Sequence, residues 1–264
     1  MDFPCLSICP LASGSRGNSI FVSGGTTSIL VDAGLSGVEL ERRMGANNLS
    51  PERLSAVVVT HEHADHIHGA GVLSRRYNLP LYINSKTFAA AGEKLGRVDC
   101  IHLFECGKAF RIDELEINPF SIAHDAADPL GMTVEFVSAR IAKAKIGIVT
   151  DLGVATQLVK QHLHGCTLLY LEANHDPGML DAGPYPWYLK QRVKSRTGHL
   201  SNQDAAALVA EVRTEALAHV ILAHLSEQNN TPELALQAMH LVLNSPRIRV
   251  EVARQEKAGT PVNL

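Results

Sequence analysis

The sequence contains no run of about 20 consecutive apolar residues, the length a membrane-spanning helix needs, so a membrane is not among its expected partners. Its N-terminus, MDFPCLSICPLASG, has no basic residue ahead of its apolar part and is interrupted by two prolines. That pattern excludes a secretory signal and reads as a first β-strand. Cysteine is sparse: Cys5, Cys9, Cys100, Cys106 and Cys166 make an odd number, with no CxxC spacing. A disulfide framework is therefore excluded, and a reducing cytoplasm is the expected location. The net charge of −3 supplies no overall attraction to nucleic acid, so such a partner has to be held by a local patch. No linker or low-complexity segment divides the chain, which reads as one domain over residues 1–264.

What the chain does have is alternation. Apolar runs of strand length occupy 5–12, 18–24, 28–34, 56–60, 80–84, 100–104, 115–124, 132–137, 145–153, 167–175, 219–226 and 247–253. Helical patterns cover 37–45, 68–78, 87–96, 155–165, 187–196, 202–216 and 232–245. A dozen strands overfill one comfortable sheet, so the expected fold is α/β with two packed sheets and helices outside. One internal echo, ILVDAG (29–34) and GIVTDLG (147–153), suggests two similar halves, each ending a strand in Asp.

Histidine is abundant, with 13 residues, and that raises the prior for metal or acid–base chemistry. The polar residues of interest follow apolar strands: Asp32, His61, Asp151, Glu172, His175 and His224 all stand at or just past a strand end. Binding sites of α/β folds lie there. The densest group is VVVTHEHADHIHG (57–69), with His61, His63, Asp65 and His66. It is not the helical HExxH zinc motif, because Asp65 stands where the second His would be. Two residues apart, His61 and His63 would be separated by about 200° on a helix. They converge only on an extended or looped backbone, after which Asp65 and His66 open the next helix. Three imidazoles and a carboxylate exceed one open site and suit two adjacent metals, His61 and His63 on one, Asp65 and His66 on the other. The plain alternative is a His-rich surface loop; His68 reads as an ordinary helix residue.

THEHADH (60–66) resembles the signature of the metallo-β-lactamase superfamily, and the resemblance extends over nearly the whole chain. It implies a four-layer αββα sandwich of two mixed β-sheets flanked by helices, with a dinuclear metal site between the halves. It further implies that His124, Asp151 and His224 complete the ligand set, with Asp151 bridging the metals. Asp32 would orient the ligands through hydrogen bonds. Structural alternatives are a helix-capping role for Asp151 and a core role for His224. The mixture of imidazole and carboxylate suits two Zn²⁺ ions and also admits Mn²⁺ or Fe.

Within that fold many reactions are possible. The missing signal peptide argues against a secreted β-lactamase, and His63 stands where diiron oxidoreductases carry Glu. LEANHD (171–176), GHLSNQDAA (198–206) and LAHLSEQNN (222–230) resemble, in order and spacing, blocks of ribonuclease Z. They match the YycJ/VicX (WalJ)-type branch more closely. PLASGSRGNS (10–19), LVDAGLS (30–36), HDAADP (124–129) and YPWYLKQR (185–192) suggest the same branch. That resemblance implies 5′→3′ exonuclease action on DNA, with RNA as the other nucleic acid, and a part in DNA repair.

In such an enzyme Asp65 would orient the attacking water as well as bind metal. His199, oriented by Glu172, would protonate the leaving sugar oxygen, an aid typically worth about 10²–10⁴-fold; His175 competes for the role. The segment 185–199 carries Lys190, Arg192, Lys194 and Arg196 without an acid, beside Tyr185, Trp187 and Tyr188. Trp187, Lys190 and Arg192 are the expected contacts to bases and phosphates, an ordinary solvated helix being the alternative. Ser13, Ser15 and Asn18 of SGSRGNS (13–19) form a candidate phosphate cradle, or merely a hairpin turn, since GxGxxG and P-loop spacings are absent. Rival functions are hydrolysis of a small ester, thioester or lactone (glyoxalase II- or lactonase-like), hydrolysis of a small phosphodiester, and a non-catalytic metal protein. Oligomeric state is not legible.

Overall fold

The structure, a computed structural model, describes residues 3–137, 144–243 and 245–264. Met1 and Asp2 of the expected first strand, and Asn244 of the last expected helix, lie outside the described residues. The first half of the chain forms β1 (Phe3–Ala12), β2 (Ser19–Gly25), β3 (Thr27–Val31), β4 (Ala56–Val58), β5 (Leu81–Asn84) and β6 (Ile101–Phe104). The second forms β7 (Phe110–Ile112), β8 (Leu115–Ser121), β9 (Leu130–Phe136), β10 (Lys145–Val149), β11 (Leu168–Glu172), β12 (His219–Ala223) and β13 (Arg249–Val252). A last strand, β14 (Val262–Asn263), returns to the edge of the first sheet. All twelve expected runs contain or overlap a strand; β7 and β14 were not anticipated, being 3 and 2 residues long, too short for an alternating pattern.

The sheets repeat one plan. From β14 through β1–β6, three antiparallel pairings are followed by three parallel ones. From β7 to β13 the same series recurs. β3 and β10, which carry the echoed sequences, hold the same place in the two series. Each is followed by an Asp in left-handed conformation, Asp32 at φ 60° and Asp151 at φ 58°. The internal echo therefore marks a topological repeat.

Alternating side chains divide each strand between two cores. Ile29 and Val31 of β3 and Val58 of β4 meet Ile146, Ile148, Leu168 and Tyr170 between the sheets. Leu30 and Val57 face outward and are covered by α1 (Gly37–Gly45), through Leu40 and Met44. The next helices, α2 (Ala64–Ile67), α3 (Ala70–Tyr77) and α4 (Ser85–Ala91), add Ile67, Leu73 and Ala91 to that layer. On the other flank Val149, Leu169, Leu171, Val220 and Leu222 are covered by α5 (Gln157–Leu163). α6 (Pro177–Ala182) and α7 (Trp187–Val193) follow, and α8 (Asn202–Val212) and α9 (Pro232–Leu243) complete the cover with Val209 and Met239. The result is the expected four-layer αββα sandwich. Each large apolar side chain it buries stabilises by roughly 1.5–3 kcal/mol.

Helix starts follow local chemistry. Ser36 accepts the Glu39 N–H at 3.3 Å to cap α1, and Ser201 accepts the Asp204 N–H at 3.1 Å to cap α8. The unforeseen α6 carries a legible signal, Asp176 as cap followed by Pro177 in its first turn. All five cysteines are free, and burial pushes the Cys9 and Cys166 thiols up to about 12.

The chain after β3 fits tightly under the His-rich loop. Gly34 N–H donates to Asn18 O at 2.9 Å, and Asn18 N–H donates to Asp65 O at 2.7 Å. A Cβ on Gly34 would lie 1.6 Å from that Asp65 oxygen. Gly34→Ala is therefore expected to cost about 3 kcal/mol or more in a denaturant melt. Unchanged stability would mean that the loop has room to move.

Candidate metal centre

β4 ends at Val58, and a non-helical segment with a bend at Thr60 leads to α2 at Ala64, with the extended His63 (φ −64°, ψ 145°) as its cap residue. This backbone lets side chains two apart converge. His61 Nε2 lies 3.2 Å from His63 Nδ1, and His124 Nε2, arriving beyond β8, lies 3.4 Å from the same nitrogen. A tetrahedral ion with Zn–N bonds of about 2.0–2.1 Å needs nitrogens about 3.3–3.4 Å apart.

Outward hydrogen bonds decide which nitrogens carry lone pairs. His61 Nδ1 faces Thr60 Oγ1 at 3.0 Å, His66 Nδ1 faces Asp32 Oδ2 at 2.7 Å, and His124 Nδ1 faces the Gly198 carbonyl at 3.3 Å. Each acceptor draws the ring proton to Nδ1, so a neutral imidazole turns its Nε2 lone pair inward. Burial, with His66 and His124 nearby, holds the His61 pKa well below its ordinary value and keeps that ring neutral. Converging lone pairs repel one another unless a cation lies between them.

Asp151 stands at the centre. Its Oδ2 lies 3.2 Å from His66 Nε2; its Oδ1 lies 3.1 Å from His224 Nδ1, 3.7 Å from His124 Nε2 and 3.8 Å from His199 Nδ1. Asp151 Oδ2 is buried and accepts no hydrogen bond. Burial raises the pKa of this carboxyl, but His224 and His66 outweigh it and hold the group well below the ordinary value. Burial likewise lowers His66, yet Asp32 and Asp151 lift it well above normal. Without a metal, this position draws a proton; a divalent ion there competes for the same lone pair. Donor atoms of His61, His63 and His124, of His61, His66 and Asp151, and of Asp151, Glu172, His199 and His224 each lie within 4.8 Å of one another. The residues present therefore fit divalent metal. Asp65 sits beside these sets, its Oδ2 3.5 Å from His66 Nε2.

Two buried carboxylates steer the candidate ligands. Asp32 accepts Thr60 N–H at 2.8 Å and Thr60 Oγ1–H at 2.8 Å, in addition to His66. Glu172 Oε1 meets His199 Nδ1 at 2.8 Å and His224 Nδ1 at 3.0 Å, while its Oε2 accepts the N–H groups of Leu152 and Leu200 at 2.9 and 3.0 Å. Burial opposes its ionisation, but His199 and His224 bring its pKa down to about 2.

Several expected substrate contacts are placed otherwise. Ser13 is buried, and its Oγ accepts the His224 N–H at 2.7 Å, so it positions a candidate ligand. Asn18 is also buried and donates to Asp65 Oδ2 at 3.1 Å, while its Oδ1 accepts Gly14 N–H. Neither faces solvent. Ser15 alone of the proposed cradle lines the cleft above the cluster, a space of about 260 Å³. His175 is not on that lining: it is 3% exposed, and its carbonyl accepts Asn202 N–H at 2.9 Å. Its packing is that of a residue tying helix to sheet. Trp187, 73% exposed, and Lys190, whose Nζ donates to Asp181 O at 2.7 Å, are off the lining too. α7 turns Leu189, Arg192 and Val193 to the cleft, a spacing of three and four residues on one face. The aromatic on that wall is Tyr185, and Asp125 and Asn174 are further lining residues the sequence did not single out as contacts.

The HLSxxNN block has a structural reading. Asn230 and Asn202 exchange side-chain hydrogen bonds at 2.8 and 2.9 Å, and Asn230 Nδ2 also donates to Ala173 O and Asn174 O. Asn174 Nδ2 donates to His224 O at 2.9 Å. This buried amide clasp laces together the three segments that carry Glu172, His199 and His224.

Comparison with known proteins agrees with this architecture. Residues 27–225 match the family model of the beta-lactamase superfamily domain. The chain is 40% identical over 235 residues to exodeoxyribonuclease YycJ of Bacillus anthracis, covering 88% of this chain and 87% of that protein. It is 39% identical over 233 residues to exodeoxyribonuclease WalJ of Streptococcus pneumoniae, covering 87% and 85%. The crystal structure of the metallo-beta-lactamase fold protein YhfI from Bacillus subtilis superposes with a TM-score of 0.73 at 16% identity, over 96% of this chain and 99% of that one. The chain thus belongs to the metallo-β-lactamase superfamily, in the group that includes YycJ and WalJ.

Proposed function

We propose that the chain is a single-domain, metal-dependent phosphodiester hydrolase that removes nucleotides from DNA in the 5′→3′ direction. The observation that carries this reading is the 40% identity, over 88% of the chain, to a protein named an exodeoxyribonuclease. The convergent donors beneath a cleft support it chemically. His61, His63 and His124 would hold one divalent ion, and Asp65, His66 and His224 a second, with Asp151 between them. Such ions, zinc first and manganese or iron as alternatives, would activate water and offset charge on the phosphoryl oxygens.

The chain's own residues do the rest. Asp65, steered by Asn18, would accept a hydrogen bond from the attacking water and set its direction. His199 commits Nδ1 to Glu172, which leaves Nε2 as the nitrogen able to hand a proton to the departing sugar oxygen. The cleft beside these groups is lined by Tyr185 and Arg192, which suit a base and a phosphate. Five free thiols support a reducing compartment such as the cytoplasm, and no described helix is long and apolar enough to cross a membrane.

Protein loaded with Mn²⁺ or Zn²⁺ is expected to shorten end-labelled DNA stepwise from its 5′ end, and RNA more slowly. A chelator should abolish the activity and added metal restore it. Asp151→Ala should lower the rate by more than about 100-fold, the upper end for residues that merely support a metal site. Intact polymers alongside stoichiometric bound metal would move the assignment to a small-ester or small-diester hydrolase.

His199→Ala should lower kcat on DNA by about 10²–10⁴-fold. Its effect on bis(p-nitrophenyl) phosphate should be much smaller, because nitrophenolate leaves without a proton. Equal losses on both substrates would instead put His199 with the metal-holding donors.

A further inference from the structure

Among the basic side chains of α7 and the turn after it, Lys190 and Lys194 are spent on Asp181, through its carbonyl and its carboxylate respectively. Among the described residues, Arg192 is the only Lys or Arg that lines the cleft. Its Nη2 lies 2.9 Å from Asp125 Oδ2. Asp125 directly follows His124, so this ion pair joins the α7 wall of the cleft to the wall that carries a candidate metal ligand. Both side chains are well exposed, at 63% and 59%, and solvent screens the pair. It is held loosely enough to be exchanged.

The other charged side chains on the cleft wall include Asp65 and Asp151. A phosphate entering this space therefore meets one guanidinium, already occupied by a carboxylate. We propose that Arg192 reads a phosphate of the substrate and that Asp125 is a built-in competitor which the phosphate displaces. Guanidinium binds phosphate through paired, charge-assisted hydrogen bonds, which favours the exchange. Tyr185 and Leu189, on the same wall, offer an aromatic and an apolar face to the sugar or base attached to that phosphate. The device also supplies discrimination: an uncharged ester cannot displace Asp125, so it gains nothing from Arg192. The identity of the polymer rests on the nuclease reading above; the phosphate chemistry does not. Either a 5′-terminal phosphate or an internal phosphodiester can supply the group.

The test compares Arg192→Gln, Asp125→Asn and the double variant in metal-loaded protein, with Lys194→Gln as a control outside the cleft. Calorimetry measures the Kd of a 5′-deoxymononucleotide. Arg192→Gln should weaken binding about tenfold. Asp125→Asn should tighten it about two- to fivefold, the range an exposed ion pair can supply. The double variant should match Arg192→Gln, since Asp125 acts only through Arg192. Weaker binding in Asp125→Asn, or tightening that persists without Arg192, would overturn the proposal. KM values on oligonucleotides bearing a 5′-phosphate or a 5′-hydroxyl then separate the two sources. Loss of a preference for the phosphorylated end in Arg192→Gln points to the terminal group, and an equal rise on both to an internal one. If no DNA is cut, the nuclease reading falls, while the mononucleotide affinities still decide the role of Arg192.

Discussion

The carboxylate of Asp32 accepts three hydrogen bonds from the loop after β4 and the helix it enters: the Thr60 N–H, the Thr60 hydroxyl and His66 Nδ1–H. That single acid fixes where the loop leaves its strand and which nitrogen His66 turns inward. Thr60 relays the constraint to His61. Glu172 does the matching work in the other half, holding His199 and His224 while its second oxygen anchors two backbone N–H groups. Everything the candidate site can do depends on these two buried acids being fully satisfied, because an unpaired buried carboxylate is too costly to keep.

The repeat relating the two sheets makes the contrast between Asp32 and Asp151 informative. Both follow the fourth strand of their series, where antiparallel pairing gives way to parallel, and both adopt positive φ. Asp32 has its oxygens taken by protein donors, whereas Asp151 Oδ2 has none. The same backbone device thus serves once to brace candidate ligands and once to present one. His224, at φ 54° after β12, uses the same left-handed turn to bring its ring toward Asp151. Each non-glycine residue so placed carries strain on the order of 1–2 kcal/mol. Strain and converging lone pairs collect at one rim of the sandwich, and the well-packed cores beneath absorb the cost.

The amide clasp of Asn202 and Asn230 shows how the rim is kept rigid. The three segments it joins come from the ends of β11 and β12 and the start of α8, and the clasp adds to the backbone hydrogen bonds already between them, such as Asn174 N–H to Leu200 O and Ser226 N–H to Asn174 O. Above it, the cleft wall is looser and more exposed. A rigid floor and an exchangeable wall suit a site that must position a reacting group exactly where its ligands converge, yet admit a polymer of varied sequence.

Much of this was legible in the sequence. The spacing of His61, His63, Asp65 and His66 is local, and an extended stretch running into a helix brings those side chains together whatever surrounds them. His124, Asp151 and His224 were expected through the resemblance to the metallo-β-lactamase superfamily, and all three lie just past strands whose ends share one rim. The echo of ILVDAG in GIVTDLG likewise marked the doubled plan. Substrate contacts were not legible in that way. Ser13 and Asn18 have the composition of a phosphate cradle, but the packing of their loop against β12 and α2 buries both and turns them to His224 and Asp65. In 185–199 four basic residues look alike, yet burial of Val193 sets the rotation of α7 and leaves Arg192 alone on the cleft. The clustering of His61, His63, Asp65 and His66 was determined by sequence because donor type and short spacing are local properties. Exposure and direction were decided by tertiary structure, because they depend on which distant surfaces close over each side chain.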